Sequence, residues 1–142
     1  MTRLCKDIRS GKKLFIGKKV AISGSTGGIG RELCFYLAAM GALRSGAGLV
    51  FLGVPESIYS IEAVKLNEAV VFPLPDEDGK LGYMAVSEIL KRLPNMDAVL
   101  IGCGLGQSHG TESVVKAVLE NAMCPVVLDA DGITLMQTHK DI

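Results

Sequence analysis

The sequence predicts an α/β protein in which a mostly parallel sheet is covered by helices on both faces, giving three layers. Residues 49–54 form a short, nearly all-apolar run, which is typical of a strand buried on both sides. Similar apolar runs alternate with segments whose apolar residues have helical spacing. The 142 residues include 17 glycines, three tyrosines, four phenylalanines and no tryptophan, a composition that favours many tight turns over an aromatic-rich β-sandwich.

Five parallel strands are predicted. They cover residues 18–23, 49–54, 69–72, 97–101 and 125–132, the last including its carboxyl-end turn. Helical spacing predicts helices over residues 31–42, 56–66, 83–93 and 111–121, the last with Thr111 as its N-cap. Gly46 and Gly48 are expected to form the left-handed turn that ends the first helix, and Pro55 to end the second strand. The acidic, turn-rich residues 73–80 are interpreted as a solvent-exposed loop.

The chain length predicts one α/β domain, residues 18–142, after a basic N-terminal arm of residues 1–17. The basic side chains of this region face only one carboxylate, that of Asp7. We interpret the arm as a solvated leader, with an anion-binding or targeting segment as the alternative. The residues up to Ile142 have the pattern of a helix that has only begun, so the domain is expected to be incomplete at its C-terminal end.

The composition also narrows the class of partner. The formal net charge is zero, so nothing global indicates a nucleic-acid partner. No run approaches the roughly 20 apolar residues of a membrane span, and the arm lacks the apolar core of a secretory signal. Two histidines and four cysteines without a CxxC spacing predict no metal site. We therefore expect a cytoplasmic protein that binds a small molecule, with no nucleic acid and no membrane as partner.

A first glycine motif follows the first predicted strand and precedes a predicted helix. The N–H groups of such a loop can cradle a phosphate, so Gly24, Gly28 and Gly30 are candidate cofactor-binding residues. Residues 14–37 resemble the cofactor loop of the short-chain dehydrogenases, with Ser23 in place of a Thr. The Tyr-x-x-x-Lys pair of that family has no counterpart in the sequence. A glycine turn that only packs a helix against a strand is the structural alternative.

Two further motifs follow later strands. Gly102, Gly104 and Gly106 alternate, which suits close backbone approach to a ligand or a plain tight turn. Asp129 and Asp131 would point to the same side if their strand continues that far, and could hold Mg²⁺ on a nucleotide or order a loop. Right-handed crossovers would place all of these turns at the carboxyl edge of one sheet, where ligands bind.

Three stretches in order, residues 42–50, 101–106 and 125–132, resemble the signature of the NAD(P)H-hydrate dehydratase family. The resemblance covers about residues 37–142 and, through the strand that ends in Gly24 and Ser25, reaches back to residue 18. The family pattern has Pro where Cys103 stands. This resemblance implies a ribokinase-like fold, present here as a Rossmann-like half-domain.

The resemblance implies a metabolite-repair reaction in which hydrated NADH or NADPH is dehydrated with ATP or ADP and Mg²⁺. Gly106 matches a position that touches the hydrate in that family and Gly104 shapes the same loop, so both are predicted to bind substrate. Asp129 and Asp131 would border the site as cofactor-binding residues. The family's nucleotide-anchoring segment and catalytic Asp lie beyond Ile142, so no catalytic residue is assigned. The chain is thus predicted to be a partial dehydratase domain, active or inactive on its own.

Two other functions stay open on the sequence alone. One is an NAD(P)-dependent oxidoreductase related to the short-chain dehydrogenases, in which NAD(P) is the cofactor instead of the substrate. The other is a non-catalytic nucleotide-binding or chimeric α/β domain. Elements missing beyond Ile142 would leave an apolar edge on the sheet, so we also expect homo-oligomers.

Overall fold

The computed structural model describes residues 19–23 and 38–137. The strands are β1 (Lys19–Ser23), β2 (Leu49–Pro55), β3 (Val70–Leu74), β4 (Asp76–Glu77), β5 (Lys80–Leu81), β6 (Ala98–Ile101) and β7 (Val126–Leu128). The helices are α1 (residues 38–44), α2 (Tyr59–Lys65), α3 (Ala85–Arg92), α4 (His109–Asn121) and α5 (Asp131–Met136), with 3₁₀ turns at Glu56–Ile58 and Leu93–Asn95. Among the described residues, no helix is long and apolar enough to cross a membrane.

Five parallel strands form the main sheet, in the order β3-β2-β1-β6-β7. At its centre, Ser23 at the end of β1 pairs with Gly53 of β2 on one side and Ile101 of β6 on the other. The strand ends therefore lie along one edge of the sheet. Pro73 lies within β3, an edge strand of this sheet, where a missing N–H donor is tolerated. The predicted parallel sheet is confirmed.

Apolar side chains form one core cluster on each face of the sheet. Neighbouring residues of a strand point to opposite faces. In β6, Val99 and Ile101 belong to one cluster, which α3 and α4 cover, while Leu100 packs against the other, which α1 and α2 help to build. The sheet is thus enclosed between two helical layers, as the sequence predicts.

The turn after α1 is a Schellman motif. The Gly46 N–H donates to the Leu43 carbonyl (3.0 Å) and the Ala47 N–H to the Ala42 carbonyl (3.0 Å). Gly46 has φ 97°, the left-handed conformation that glycine adopts without steric cost. The prediction is confirmed for Gly46 and wrong for Gly48, which is not left-handed, because one such residue suffices to end a helix.

The acidic stretch after β3 is a hairpin instead of a purely solvated loop. Asp78 (φ 51°) and Gly79 (φ 73°) connect β4 to β5, and positive φ at both central residues is the mark of a type I′ turn. Leu81 at the end of the hairpin is buried. The interpretation of residues 73–80 as a solvent-exposed loop is therefore corrected in part: Leu74 is buried and the hairpin strands pair with each other, while Glu77 and Asp78 are exposed.

Among the predicted element ends that differ from the structure are the start of α4 and the end of β7. The helix predicted from Thr111 begins two residues earlier as α4, and its N-cap is Ser108. Ser108 and Thr111 form a reciprocal capping box, with the Thr111 N–H donating to Ser108 Oγ (3.1 Å) and the Ser108 N–H to Thr111 Oγ1 (2.9 Å). The last strand ends at Leu128, because Ala130 takes φ 47° and ψ −121° and turns the chain into α5.

Candidate ligand site at the carboxyl edge of the sheet

The strand order places a topological switch point beside β1. The chain runs outward from β1 through β2 and β3 on one side, and through β6 and β7 on the other. In open α/β sheets, the crevice at the carboxyl ends of such strands is where ligands bind. The loop after β6, residues 102–107, lies at this point. The loop after β1, with the predicted phosphate-binding residues Gly24, Gly28 and Gly30, lies outside the described residues, so their role stays a prediction.

The loop after β6, which we call the glycine loop (residues 102–107), depends on its three alternating glycines. Gly102, Gly104 and Gly106 have φ values of 119°, 65° and 72°, which L-residues with a side chain rarely adopt. The Leu105 N–H donates to the Gly102 carbonyl (3.2 Å), closing a β-turn in which Gly104 takes the position that requires positive φ. Leu105 itself is fully buried. The loop is therefore a fixed backbone structure anchored in the core.

The turn after β7 lies directly against the glycine loop. The Asp129 N–H donates to the Ile101 carbonyl (3.1 Å), which extends the β6–β7 ladder by one bond. A Cβ at Gly102 would overlap the Asp129 carbonyl oxygen and lie 2.8 Å from the Gly132 nitrogen. A Cβ at Gly132 would lie 3.1 Å from the Gly102 Cα. Two glycines thus allow the two turns to touch backbone to backbone.

The predicted carboxylates bind the glycine loop. Asp131 Oδ2 accepts a hydrogen bond from the Gly106 N–H (2.8 Å), and Asp129 Oδ2 accepts one from Cys103 Sγ (3.6 Å). The structure therefore brings Asp129 and Asp131 to Cys103 and Gly106 of the predicted glycine motif. The condition for a same-side pair is not met, because the strand ends before Asp129. Of the two roles considered from the sequence, these contacts fit the ordering of a loop.

A metal ion has little support from the described side chains. Within residues 19–23 and 38–137, no three His, Cys, Asp or Glu residues come together as a metal-binding group. One oxygen of Asp131 is already engaged by Gly106. Magnesium is often held by one or two carboxylates plus substrate phosphates.

The β4–β5 hairpin adds residues to this edge that the sequence did not predict. Lys80 Nζ donates to the backbone carbonyl of Gln107 (3.2 Å) at the end of the glycine loop. Asp76 accepts hydrogen bonds from the N–H (3.1 Å) and the hydroxyl (2.9 Å) of Ser57, which follows β2. A Cβ at Gly110 in α4 would overlap the Leu81 carbonyl oxygen of the hairpin. The Asp78-Gly79 dipeptide was the local signal for this hairpin.

The fold and the glycine loop define an α/β protein of the ribokinase-like class. A ribokinase-like superfamily protein from Enterococcus faecalis superimposes with a TM-score of 0.67 at 22% identity, over 85% of this chain and 39% of that chain. This likeness establishes the fold.

The sequence profile of the NAD(P)H-hydrate dehydratase family matches residues 21–142, and the chain belongs to that family. The match confirms the resemblance read from the three motifs, and it includes the glycine stretch after β1. The bifunctional NAD(P)H-hydrate repair enzyme of Moorella thermoacetica is 37% identical over 130 residues. That alignment covers 91% of this chain and 24% of the relative, so the chain spans about a quarter of the length of this relative.

A solved structure of the same family agrees with this assignment. The ADP/ATP-dependent NAD(P)H-hydrate dehydratase of Bacillus subtilis, co-crystallised with ATP and Mg²⁺ and soaked with CoA, is 28% identical to this chain. It superimposes with a TM-score of 0.59, over 84% of this chain and 40% of that chain. The predicted ribokinase-like fold and the predicted family thus agree with sequence and structure comparisons alike.

Proposed function

We propose that this chain forms the hydrate-binding part of a nucleotide-dependent NAD(P)H-hydrate dehydratase. The observation that carries the proposal is the family match over residues 21–142, combined with a rigid glycine loop at the switch point of the sheet. The substrate would be NADH or NADPH hydrated on its nicotinamide ring. The reaction would restore the cofactor by transferring a phosphoryl group to the ring hydroxyl and then eliminating phosphate together with a ring proton.

In this proposal, the glycine loop supplies a surface without side chains for the hydrate. Gly104 and Gly106 are the residues we propose to contact it, since a glycine backbone lets a flat ring or a phosphate approach closely. Their positive φ values belong to a loop that its own hydrogen bonds hold, so little order would have to be gained on binding. Asp129 and Asp131 border the same surface through their contacts with Cys103 and Gly106.

ATP or ADP is proposed as the co-substrate, as in the Bacillus subtilis relative. When bound, the nucleotide would supply the phosphoryl group that makes the ring hydroxyl a good leaving group. This chain's share of the work would be to hold the hydrate in a fixed orientation, which is a large part of what a phosphoryl-transfer site must do. Mg²⁺ would come with the nucleotide phosphates, since magnesium is usually bound by one or two carboxylates plus substrate phosphates.

Ligand-induced stabilisation tests the proposal. A ligand that binds only the folded chain raises its melting temperature. We expect hydrated NADPH to raise the Tm, and Gly106→Trp to abolish that shift by filling the loop surface. Because Gly106 has φ 72°, Gln107→Trp serves as a second variant without this backbone cost. Gly41→Trp is the matched control, since a Cβ at Gly41 would have no neighbour within 4 Å.

Turnover separates binding from catalysis. Formation of NADPH from its hydrate, with ATP or ADP and Mg²⁺, would show that the chain acts alone. A Tm shift without product would limit this chain to the binding part. A Tm shift with NAD⁺ that Gly28→Trp removes and Gly106→Trp leaves intact would favour the short-chain-dehydrogenase alternative. No shift with any nucleotide would reject the proposed function and favour the non-catalytic alternative.

A further inference from the structure

We propose that Asp131 is a positioning residue that fixes the Gly106 peptide for the hydrate, and not a ligand to Mg²⁺. The expected effect on hydrate binding rests on the proposed function. Its structural basis is the hydrogen bond from the Gly106 N–H to Asp131 Oδ2 (2.8 Å), which joins residues 25 positions apart. Hydrogen bonds from a backbone N–H to a carboxylate are, as a class, shorter and stronger than those between neutral groups.

The bond sets the orientation of a whole peptide group. In a trans peptide, the N–H and the preceding C=O point in opposite directions. With the Gly106 N–H directed at Asp131, the Leu105 carbonyl must be turned away from it. Glycine at Gly106 could otherwise rotate through a wide range of φ and ψ. Asp131 therefore selects one of several orientations that the glycine loop could adopt.

The turn that carries Asp131 is shaped for this contact. The Gly132 N–H donates to the Asp129 carbonyl (2.9 Å), and the intervening Ala130 has φ 47° and ψ −121°. Those angles belong to the first central position of a type II′ turn, which glycine normally occupies. A non-glycine residue keeps such angles only where its surroundings over-determine them. The contacts of Gly102 with Asp129 and Gly132, and of Gly106 with Asp131, are such surroundings.

Positioning and metal ligation make opposite predictions for a set of variants. Asp131→Asn keeps a side-chain oxygen that can accept the Gly106 N–H but lowers affinity for a metal ion. Asp131→Ala removes both functions. If Asp131 positions the Gly106 peptide, Asp131→Asn should keep most of the affinity for hydrated NADPH that Asp131→Ala loses, whether or not Mg²⁺ is present. If Asp131 is instead a ligand to Mg²⁺, the two variants should lose hydrate affinity equally. Without Mg²⁺, both should then bind the hydrate as well as the original chain does.

The experiment uses the full chain and two measurements. Hydrogen exchange at the Gly106 amide, followed by NMR, reports the bond without any ligand. Binding of hydrated NADPH, with Mg²⁺ or with EDTA, reports its consequence. We expect Asp131→Ala to speed Gly106 exchange at least about tenfold and to weaken hydrate binding at least about tenfold in both solutions. Asp131→Asn should lie close to the original chain. Glu120→Gln, which removes an exposed carboxylate from the far end of α4, is the matched control.

Each outcome decides the inference. Unchanged Gly106 exchange in Asp131→Ala would overturn it, as would a binding loss that is equal in the Asn and Ala variants and confined to Mg²⁺. If Asp131→Ala does not fold, an exchange rate in Asp131→Asn equal to that of an unbonded amide would also overturn it. If the original chain binds no hydrate, the proposed function fails, and the exchange measurement alone decides whether Asp131 positions Gly106.

Discussion

Gly102 is the residue on which the geometry of the candidate site most directly depends. It follows the last residue of β6, has φ 119°, and touches the Asp129 carbonyl and the Gly132 nitrogen across the two turns. No other residue type combines this φ with the absence of a Cβ. The site is thus formed by close backbone contact and only secondarily by side chains.

We expect Gly102→Ala to destabilise the chain by at least about 2 kcal/mol, since it adds a disfavoured φ to a steric overlap with backbone atoms. The overlap is with the Asp129 carbonyl oxygen, which belongs to a turn and cannot rotate away as a side chain would. Urea unfolding of both proteins would measure the difference as a shift in midpoint.

Gly41→Ala is the matched control for this substitution. Gly41 lies in α1, is exposed, and a Cβ there would meet nothing within 4 Å. Alanine is the better helix former, so we expect the free energy of unfolding of this variant to rise by about 0.5–1 kcal/mol. If Gly102→Ala were as stable as the original chain, the backbone contact between the two turns would not exist in solution.

At the scale of the elements, α3 is held by a charged network on its surface. Glu88 lies 2.6 Å from Lys91 Nζ and 3.1 Å from Arg92 Nη1, and the Arg92 guanidinium lies 4.4 Å from the centre of the Phe72 ring in β3. Hydrogen bonds from Lys91 and Arg92 lower the pKa of Glu88. Through Arg92, the same carboxylate helps to orient a side chain that ties the helix to the sheet.

This network predicts a pH dependence of stability. Because the pKa of Glu88 is lower in the folded chain than in the unfolded one, its contribution is fully present above the unfolded pKa and is lost as the pH falls through the folded pKa. We expect Glu88→Gln to be less stable than the original chain near about pH 7, and the difference to shrink steadily as the pH is lowered from about 5. Urea unfolding across this pH range measures this.

High salt provides the control for the Glu88 prediction. The carboxylate is partly exposed to solvent, so its ion pairs are screened by mobile ions. The difference between the two proteins near neutral pH should therefore shrink in high salt. A difference that stays constant with pH and salt would mean that Glu88 acts through packing, and that its charge does not contribute.

Across the whole molecule, the features that could be predicted from the sequence are those set by residues close together in the chain. Apolar runs located the five strands, and Gly46 ended the first helix as expected, because each pattern acts over a few residues. The β4–β5 hairpin was missed, although Asp78-Gly79 is a local turn signal, because its acidic composition suggested solvation. The bond between Asp131 and Gly106 was beyond prediction, since it spans 25 positions and depends on the unusual backbone of Ala130.

The two faces of the sheet are covered unequally at β7. Val127 pairs with Leu100 and therefore lies on the same face, that of the cluster with α1 and α2. Within the described parts of the chain, that cluster does not include Val127, whose side chain is 53% exposed. Met123, just before β7, is 96% exposed. The residues from Asn121 to Leu128 carry no charge.

Exposed apolar residues on β7, an outer strand of the sheet within the described residues, favour association with a second copy, since a two-fold dimer brings the same residues together from both copies. We expect the chain to form concentration-dependent homo-oligomers in sedimentation velocity, and Val127→Lys to weaken them at least about tenfold by placing a charge at the contact. Val64→Lys is the matched control, because Val64 is 77% exposed on α2, away from β7. A chain that stays monomeric at every concentration would contradict the predicted oligomer. Equal effects of the two lysines would place the contact elsewhere.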